Sequence, residues 1–325
     1  DIHQHTAASD GTGTRHEAFH RARHRYGDDF AAVADHESFL GKRTFPGEWA
    51  VERAAARLAD RPGAFAALDA YEWTGKMHPG PGHKVVYPDP ESDEILSRDD
   101  PETSTSAGLI AAAAARGALV FPHHVGWTGA DLDAHDPAVQ TAWEIVSAHG
   151  AYERPGVTRI GTRGDDKPGQ FTAEALDAGL RFGLVGGSDG HGLAWHHGVC
   201  RVADSHRTGL AAVFAEAPTR AAVLDALCRR RCYATSGAKM LLWFAAGGRP
   251  MGSELRVAGA VDLEVHVVPT APLETVRLVT RSGAERALEI DAAGGVARGA
   301  LPAPDDWSYT YVRAEQTDGH VAWSS

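Results

Sequence analysis

The sequence predicts an α/β fold over residues 1–237, followed by a small all-β, sandwich-like domain over 238–325. Three observations carry this. Short apolar runs alternate with helical stretches through the first two thirds of the chain, the pattern of repeated strand–helix units around a parallel sheet or barrel. Polar, metal-ligating residue types recur at the C-terminal ends of those runs, and in a barrel those ends converge on one face. After Gly237 the pattern changes to a period of two, broken by turns rich in Gly, Pro and Asp.

The elements follow in order. Thr14 to Arg25 reads as a helix whose N-cap Thr14 and Glu17 form a capping box. Phe30 to Ala34 is a short apolar run ending at Asp35-His36, and Gly47 to Ala59 is helical. Ala64 to Ala70 is apolar and ends at Tyr71-Glu72, with a short strand at His83 to Tyr87. Ser106 to Arg116 is a helix that Gly117 ends, and Ala118 to Phe121 a strand running into His123-His124. Ala142 to Val146 ends at Ser147-Ala148-His149; Arg181 to Val185 ends at Ser188-Asp189-Gly190-His191. The helices Thr172 to Ala178 and Thr219 to Arg230 complete this part. Beyond it, Val261 to Val267 alternates, and Val276 to Thr280, Ala297 to Leu301, Tyr309 to Ala314 and Val321 to Trp323 read as further strands of a packing or oligomerisation module.

Bulk properties narrow the partners. The net charge is −11 with no basic stripe, which excludes nucleic acid as an expected ligand. No run reaches the roughly 18 apolar residues of a membrane span. The expected partner is a small-molecule substrate, anionic or an ester, drawn by local charge such as bound divalent metals rather than by the whole-protein field. Nothing in the sequence sets an oligomeric state. Three cysteines (Cys200, Cys228 and Cys232) argue against a disulfide framework and fit a reducing, cytoplasmic setting. Cys228 and Cys232 lack a second ligand pair and read as thiols, not metal ligands. The unusual count is 18 histidines, which invites a metal reading.

Singly, each candidate has an ordinary explanation. His3-x-His5 places two imidazoles on one side of a strand, and chance supplies such pairs. Asp10 sits in a Gly-rich turn, where aspartate is common. His36, Glu72, His83 and His123-His124 are at strand ends or loops. Asp189-x-His191 again puts two ligand types on one face, among glycines that allow close backbone approach. Together the ordinary explanations would need coincidence at strand after strand. Imidazole and carboxylate donors without thiolate suit Zn, Mn or Fe. Nine candidates exceed what one ion takes and would serve two or three divalent metal ions, with Glu72 as a bridge. Such a pair, about 3.5–4 Å apart, would hold a hydroxide and polarise a phosphoryl or carbonyl oxygen.

These residues carry a resemblance. Asp1-Ile2-His3-Gln4-His5-Thr6 with Ser9-Asp10-Gly11, Ala34-Asp35-His36, Val120-Phe121-Pro122-His123 and Ser188-Asp189-Gly190-His191 resemble, in order, the four motifs of the PHP (polymerase and histidinol phosphatase) superfamily. The resemblance covers residues 1 to about 237. It implies a distorted (β/α)7 TIM-like barrel with a two- or three-metal site and a ligand set of His3, His5, Asp10, His36, Glu72, His83, His123, Asp189 and His191. Many relatives carry His where Asp10 stands, and His123 is preferred to His124. A narrower likeness lies in Tyr71-Glu72-Trp73-Thr74, Gly82-His83, His123-His124, Ser147-Ala148-His149-Gly150, Arg230 to Gly237 and Met251-Gly252-Ser253-Glu254. These are similar to a branch related to carbaryl-hydrolase-type metallohydrolases with a C-terminal immunoglobulin-like domain.

The expected function is metal-dependent ester hydrolysis by a metal-bridging hydroxide. The superfamily favours a phosphoesterase acting on a small organic phosphate; the narrower branch favours a carbamate or carboxylic ester. Catalytic residues are taken as His149, Asp189 and His191, with His149 either donating to substrate or acting as general acid, or else only supporting the site. Lys76, His78, Lys84, Arg163, Lys167 and His196 are candidate anion binders from loops, and Tyr71, Trp73, Trp127 and Trp195 candidate pocket walls. A non-catalytic metal-binding module is disfavoured because no ligand position is lost. An amidohydrolase barrel also begins with H-x-H, but Asp189-x-His191 departs from its lone final Asp.

Overall fold

The structure, a computed structural model, describes residues 1–164, 166–192, 208–302 and 308–325. Most expected elements form near their expected places. Thr14 accepts from the Glu17 amide and Glu17 reaches back to the Thr14 amide, so the capping box starts Arg15–Arg21, which continues as a π-helical turn to Tyr26. Gly117, at φ 67°, closes the helix Ser106–Arg116 in the left-handed conformation that its missing Cβ allows.

The expected (β/α)7 barrel does not form. The strands fall into several small sheets with no closed barrel. Two parallel pairs exist in the first part: Phe30–Val33 with Ala66–Asp69, and Ala142–Ser147 with Gly183–Gly186. Between them Tyr71–Thr74, His83–Tyr87 and Leu119–Pro122 form an antiparallel sheet. The reason lies in residues 75–82. A parallel crossover needs a dozen or more residues, usually a helix. This connection has eight, five of them Gly or Pro, so the chain turns back on itself. Single bridges, Gln4 to Gly190 and His36 to Glu72, join neighbouring sheets where a barrel would have continuous ladders.

The chain's second part is sewn into the first. Cys232–Thr235 pairs with Leu210–Val213 on one side and with Val321–Ser324 on the other. Thr310–Gln316, Leu273–Thr280 and Glu285–Ala287 extend this to six strands. One sheet therefore runs across Gly237. Leu241–Ala246, Arg249–Pro250, Val261–Val268 and Gly295–Leu301 form a second, antiparallel sheet. Leu263, Val265 and Val267 alternate inward from it and share a core with Leu278, Val312 and Ala322 of the six-stranded sheet.

A buried carboxylate fastens the two parts. Glu153 accepts from the Tyr311 hydroxyl at 2.6 Å, Arg313 Nη1 at 2.8 Å and Trp323 Nε1 at 2.7 Å. All four side chains are buried. Among the described residues no helix is long and apolar enough to cross a membrane.

Glu153→Ala removes the acceptor shared by Tyr311, Arg313 and Trp323, while Glu285 and Glu315 still pair with Arg313; it should cost about 1–3 kcal/mol for the donors left unsatisfied, seen as a lower urea midpoint. The shared sheet predicts one cooperative transition for the whole chain; two separated transitions would contradict that coupling.

Candidate metal centre

Residues 1–5 run extended between two elements. The Ala32 and Ala34 amides donate to the carbonyls of Asp1 and Gln4, while the His5 amide donates to Gly190 and the His3 carbonyl accepts from Asp189. Threaded this way, His3 and His5 alternate to one side, as the H-x-H spacing requires. Below them Asp35 accepts from the Thr6 amide at 2.7 Å, Ser9 Oγ at 2.8 Å and Arg15 Nε at 3.0 Å, which shapes the turn that carries Asp10. Gly187 is required for a different reason. A Cβ there would lie 2.3 Å from Glu144 Oε2 and 2.6 Å from His3 Cβ.

The ligand types converge in four groups: His5, Asp10, His36 and His191; Glu72, His83, His123 and His124; His3, His5, Glu72 and Asp189; and His149, Asp189 and His191. Within each, one donor atom per residue lies within 4.8 Å of the others. All nine expected ligands are therefore brought together. Glu72 is central: its oxygens lie 2.7 Å from His83 Nδ1, 3.2 Å from His5 Nε2 and 3.2 Å from His123 Nε2. Asp189 Oδ1 is 3.1 Å from His5 Nε2, and Asp10 Oδ1 is 3.3 Å from His191 Nε2.

Two of these residues hold backbone conformations that favour glycine. Asp189 has φ 49° and His124 φ 34°. Such outliers cost of order 1–3 kcal/mol and persist where surrounding structure fixes them, commonly at functional sites.

Electrostatics point the same way. Burial opposes ionisation of Glu72, but the surrounding imidazoles outweigh it and hold its carboxyl well below the usual range. Asp189 is also depressed, against burial, by His149, His3 and His5. Asp10 is held at about 2, mainly by His191 and His5 against its burial. The imidazoles divide. Burial disfavours charge on His5, yet Asp189 and Glu72 raise it to about 10, and His3 rises likewise through Asp189 and Glu144. Burial keeps His36 neutral down to about 3 and His123 to about 4, and depresses His124 and His191.

The donor set fits divalent metal. His3 Nε2 and His5 Nε2 approach to 3.1 Å, two nitrogens facing one another with carboxylates around them. Buried Asp189 Oδ2, His83 Nδ1 and His123 Nδ1 make no hydrogen bond among the described residues. His83 Nδ1 lies close to Glu72, and Asp189 Oδ2 close to His149 Nε2, but neither pair is aligned for one. Imidazole and carboxylate aimed at shared points, with polar atoms left over, is what a cation would satisfy.

Three residues were not singled out as ligands by sequence. His124 stands in the same group as His123, its Nε2 3.6 Å from Asp189 Oδ2, so both are placed to offer a nitrogen. Glu144 accepts or shares a proton with His3 Nδ1 at 3.1 Å, leaving Nε2 toward the centre, as carboxylates behind metal-binding histidines do. A carboxylate inside the apolar strand Ala142–Ser147 was its signal. Thr74 Oγ1, 2.6 Å from His36 Nδ1, plays a similar part and carries no sequence signal. His149 Nε2 is 3.1 Å from Asp189 Oδ2, and its Nδ1 accepts from Arg163 Nη1 at 3.1 Å. Because a guanidinium only donates, this bond places the imidazole proton on Nε2.

The remaining candidates separate. Tyr71 and Trp73 are core residues, not walls, whereas the Trp127 ring lies 4.9 Å from His124 and 5.3 Å from His149. Lys84 turns away beneath Trp73 to the Pro81 carbonyl. Cys232 is buried and Cys228 exposed, and neither belongs to a ligand group among the described residues. Trp195, His196 and Cys200 lie outside the described residues.

A protein-family profile described as "Protein of unknown function (DUF3604)" matches residues 195–261, which begin after the last residue of the cluster. An uncharacterized protein of Chlamydia trachomatis serovar D is 28% identical over 221 residues, 61% of this chain and 35% of the relative. One from Chlamydia pneumoniae is 29% identical over 224 residues, with the same coverage. The chain thus spans about a third of the length of the curated relatives it matches.

Two outcomes are expected. Glu72→Ala, which removes a member of two groups, should lose more metal per chain after dialysis than Asp10→Ala, a member of one, by elemental analysis. Below about 10 the metal-free His5 keeps its proton, so metal binding at pH 7 should release protons and strengthen as pH rises. Calorimetry in buffers of different ionisation enthalpy reads this directly, and zero release would contradict it.

Proposed function

We propose that this protein is a metal-dependent hydrolase acting on ester bonds, and specifically a phosphoesterase of the PHP type for a small organic phosphate. The observation that supports this most is the sharing of ligands. Glu72, Asp189, His5 and His191 each belong to two of the four groups, so two or three ions, Zn, Mn or Fe, would be held side by side. Divalent ions in such a site lower the pKa of water and polarise the ester under attack. The chain's own residues do the rest. Glu72 and Asp189 carry negative charge into a buried site and hold their imidazole partners in place. Glu144 orients His3. His149, with its proton on Nε2 toward Asp189, is the candidate donor to a leaving-group oxygen.

A second reading, hydrolysis of a carbamate or carboxylic ester by the same residues, draws on the narrower sequence resemblance. The flat Trp127 ring beside His124 and His149 would suit an aromatic ester.

A panel of p-nitrophenyl phosphate, bis-p-nitrophenyl phosphate, p-nitrophenyl acetate and 1-naphthyl methylcarbamate separates the two. The expected result is turnover of a phosphate ester that falls to background in the Asp189→Ala, His191→Ala double variant. Turnover of the acetate or carbamate alone would favour the second reading. No turnover of any ester by protein carrying its ions would contradict both.

A further inference from the structure

We propose that Arg163 is the substrate-recognising cation of this centre and binds the phosphoryl oxygens of a phosphate ester beside His149. The proposal rests on the phosphoesterase reading for the kind of ligand; the placement of the cation stands on geometry alone.

Among the described residues, Arg163 is the one arginine or lysine whose side chain contacts a side chain of the cluster. The other nearby cations are committed elsewhere. Arg15 is buried against Asp35 and Glu52. Arg98 serves the Thr74 carbonyl, and Lys42 the Ala8 carbonyl. Arg163 is different in three ways. Its backbone is fixed to the residue it touches: the Arg163 amide donates to the His149 carbonyl at 2.8 Å, and the Ala151 amide donates to Gly161 at 3.1 Å. Its guanidinium stacks on Trp127, 4.4 Å from the ring centroid, and this sets the plane of the fork. Finally, no carboxylate pairs with it among the described residues, and its side-chain hydrogen bond there goes to His149. A guanidinium has five N–H donors, so most of the fork is left for a ligand.

The surroundings are shaped to keep this arrangement. Gly164 has φ 76°, and a Cβ there would lie 2.3 Å from Trp127 Cδ1, so a side chain at 164 would push the ring out from under Arg163. Trp127 itself touches His124 and His149. A half-buried, planar cation held rigid next to an acidic metal centre is matched to a tetrahedral oxyanion, which it can bind through two parallel N–H bonds. A neutral ester offers it no charge. The same contact links recognition to His149: a phosphoryl group drawn to Arg163 arrives next to the Nε2 proton that faces Asp189.

The test is binding of inorganic phosphate to the whole, metal-loaded chain by calorimetry, which needs no turnover. Arg163→Ala should weaken phosphate binding about 10- to 100-fold, the worth of one or two charge-assisted hydrogen bonds. Arg163→Lys should recover part of it, and Lys167→Ala should leave it unchanged. Metal content should stay at the wild-type level in all three. Where a phosphate ester is turned over, KM should rise by the same factor in Arg163→Ala while the KM for p-nitrophenyl acetate stays constant. Phosphate affinity within about twofold of wild type in Arg163→Ala, loss of affinity only together with loss of metal, or a wild-type chain that does not bind phosphate would each overturn the proposal. A wild-type chain that binds phosphate through Arg163 but hydrolyses no ester would leave this assignment standing and remove the hydrolase reading instead.

Discussion

The carboxylate of Glu72 is 1% exposed and has nitrogens of His83, His5, His123, His36 and His3 at 2.7 to 3.4 Å. Burying a charge costs several kcal/mol even after relaxation, and only close, well-placed partners repay it. Much of the first part of the chain follows from that requirement. The antiparallel turn at residues 75–82 brings His83 opposite Thr74 and next to Glu72. The bridge between His36 and Glu72 brings the end of the Phe30–Val33 strand to the same point. The extended N-terminal residues deliver His3 and His5 from the other side. Without metal the imidazoles cannot all agree: some are held neutral by burial and two are held charged by carboxylates. Divalent ions would replace that conflict with one arrangement in which every lone pair has a use.

The C-terminal sheets contribute at a distance. Their strands complete the six-stranded sheet that Cys232–Thr235 begins, and through Tyr311, Arg313 and Trp323 they hold Glu153. Glu153 follows Tyr152, whose hydroxyl donates to the His149 carbonyl at 2.9 Å. The segment bearing His149 and Arg163 is thereby braced from behind by a part of the chain that holds none of the clustered ligands. If Arg163 recognises substrate as proposed, the second part would support that side of the cluster as well as pack against it.

The local signals were legible in the sequence because they are local. The Thr14–Glu17 capping box, the Gly117 stop and the alternation of Val261 to Val267 each depend on a few adjacent residues, and each forms. The candidate ligands were legible for a related reason: His36, Glu72, His123, Asp189 and His191 follow apolar runs, and with His3, His5, Asp10 and His83 they make nine ligand-type residues that call for one explanation. The strand directions were not legible. Periodicity says that His83 to Tyr87 is a strand but not which way it runs, and the short Gly/Pro connection that reverses it outweighs the strand–helix alternation on either side. Glu144 escaped for another reason, and the same reason left His124 second to His123 and Arg163 one of six candidate anion binders. Their roles come from contacts between residues far apart in the chain, Glu144 with His3 and His124 with Asp189, or from a loop residue stacked on a ring, and no spacing encodes those.

The central claim is that this cluster is a multinuclear metal site, and anomalous X-ray diffraction at the zinc, manganese and iron edges tests it most directly. The account predicts two or three anomalous peaks among Glu72, Asp189, Asp10 and the surrounding imidazoles, with Glu72 or Asp189 shared between neighbours. Protein purified and crystallised with these metals present that gives no peak among those residues would contradict it.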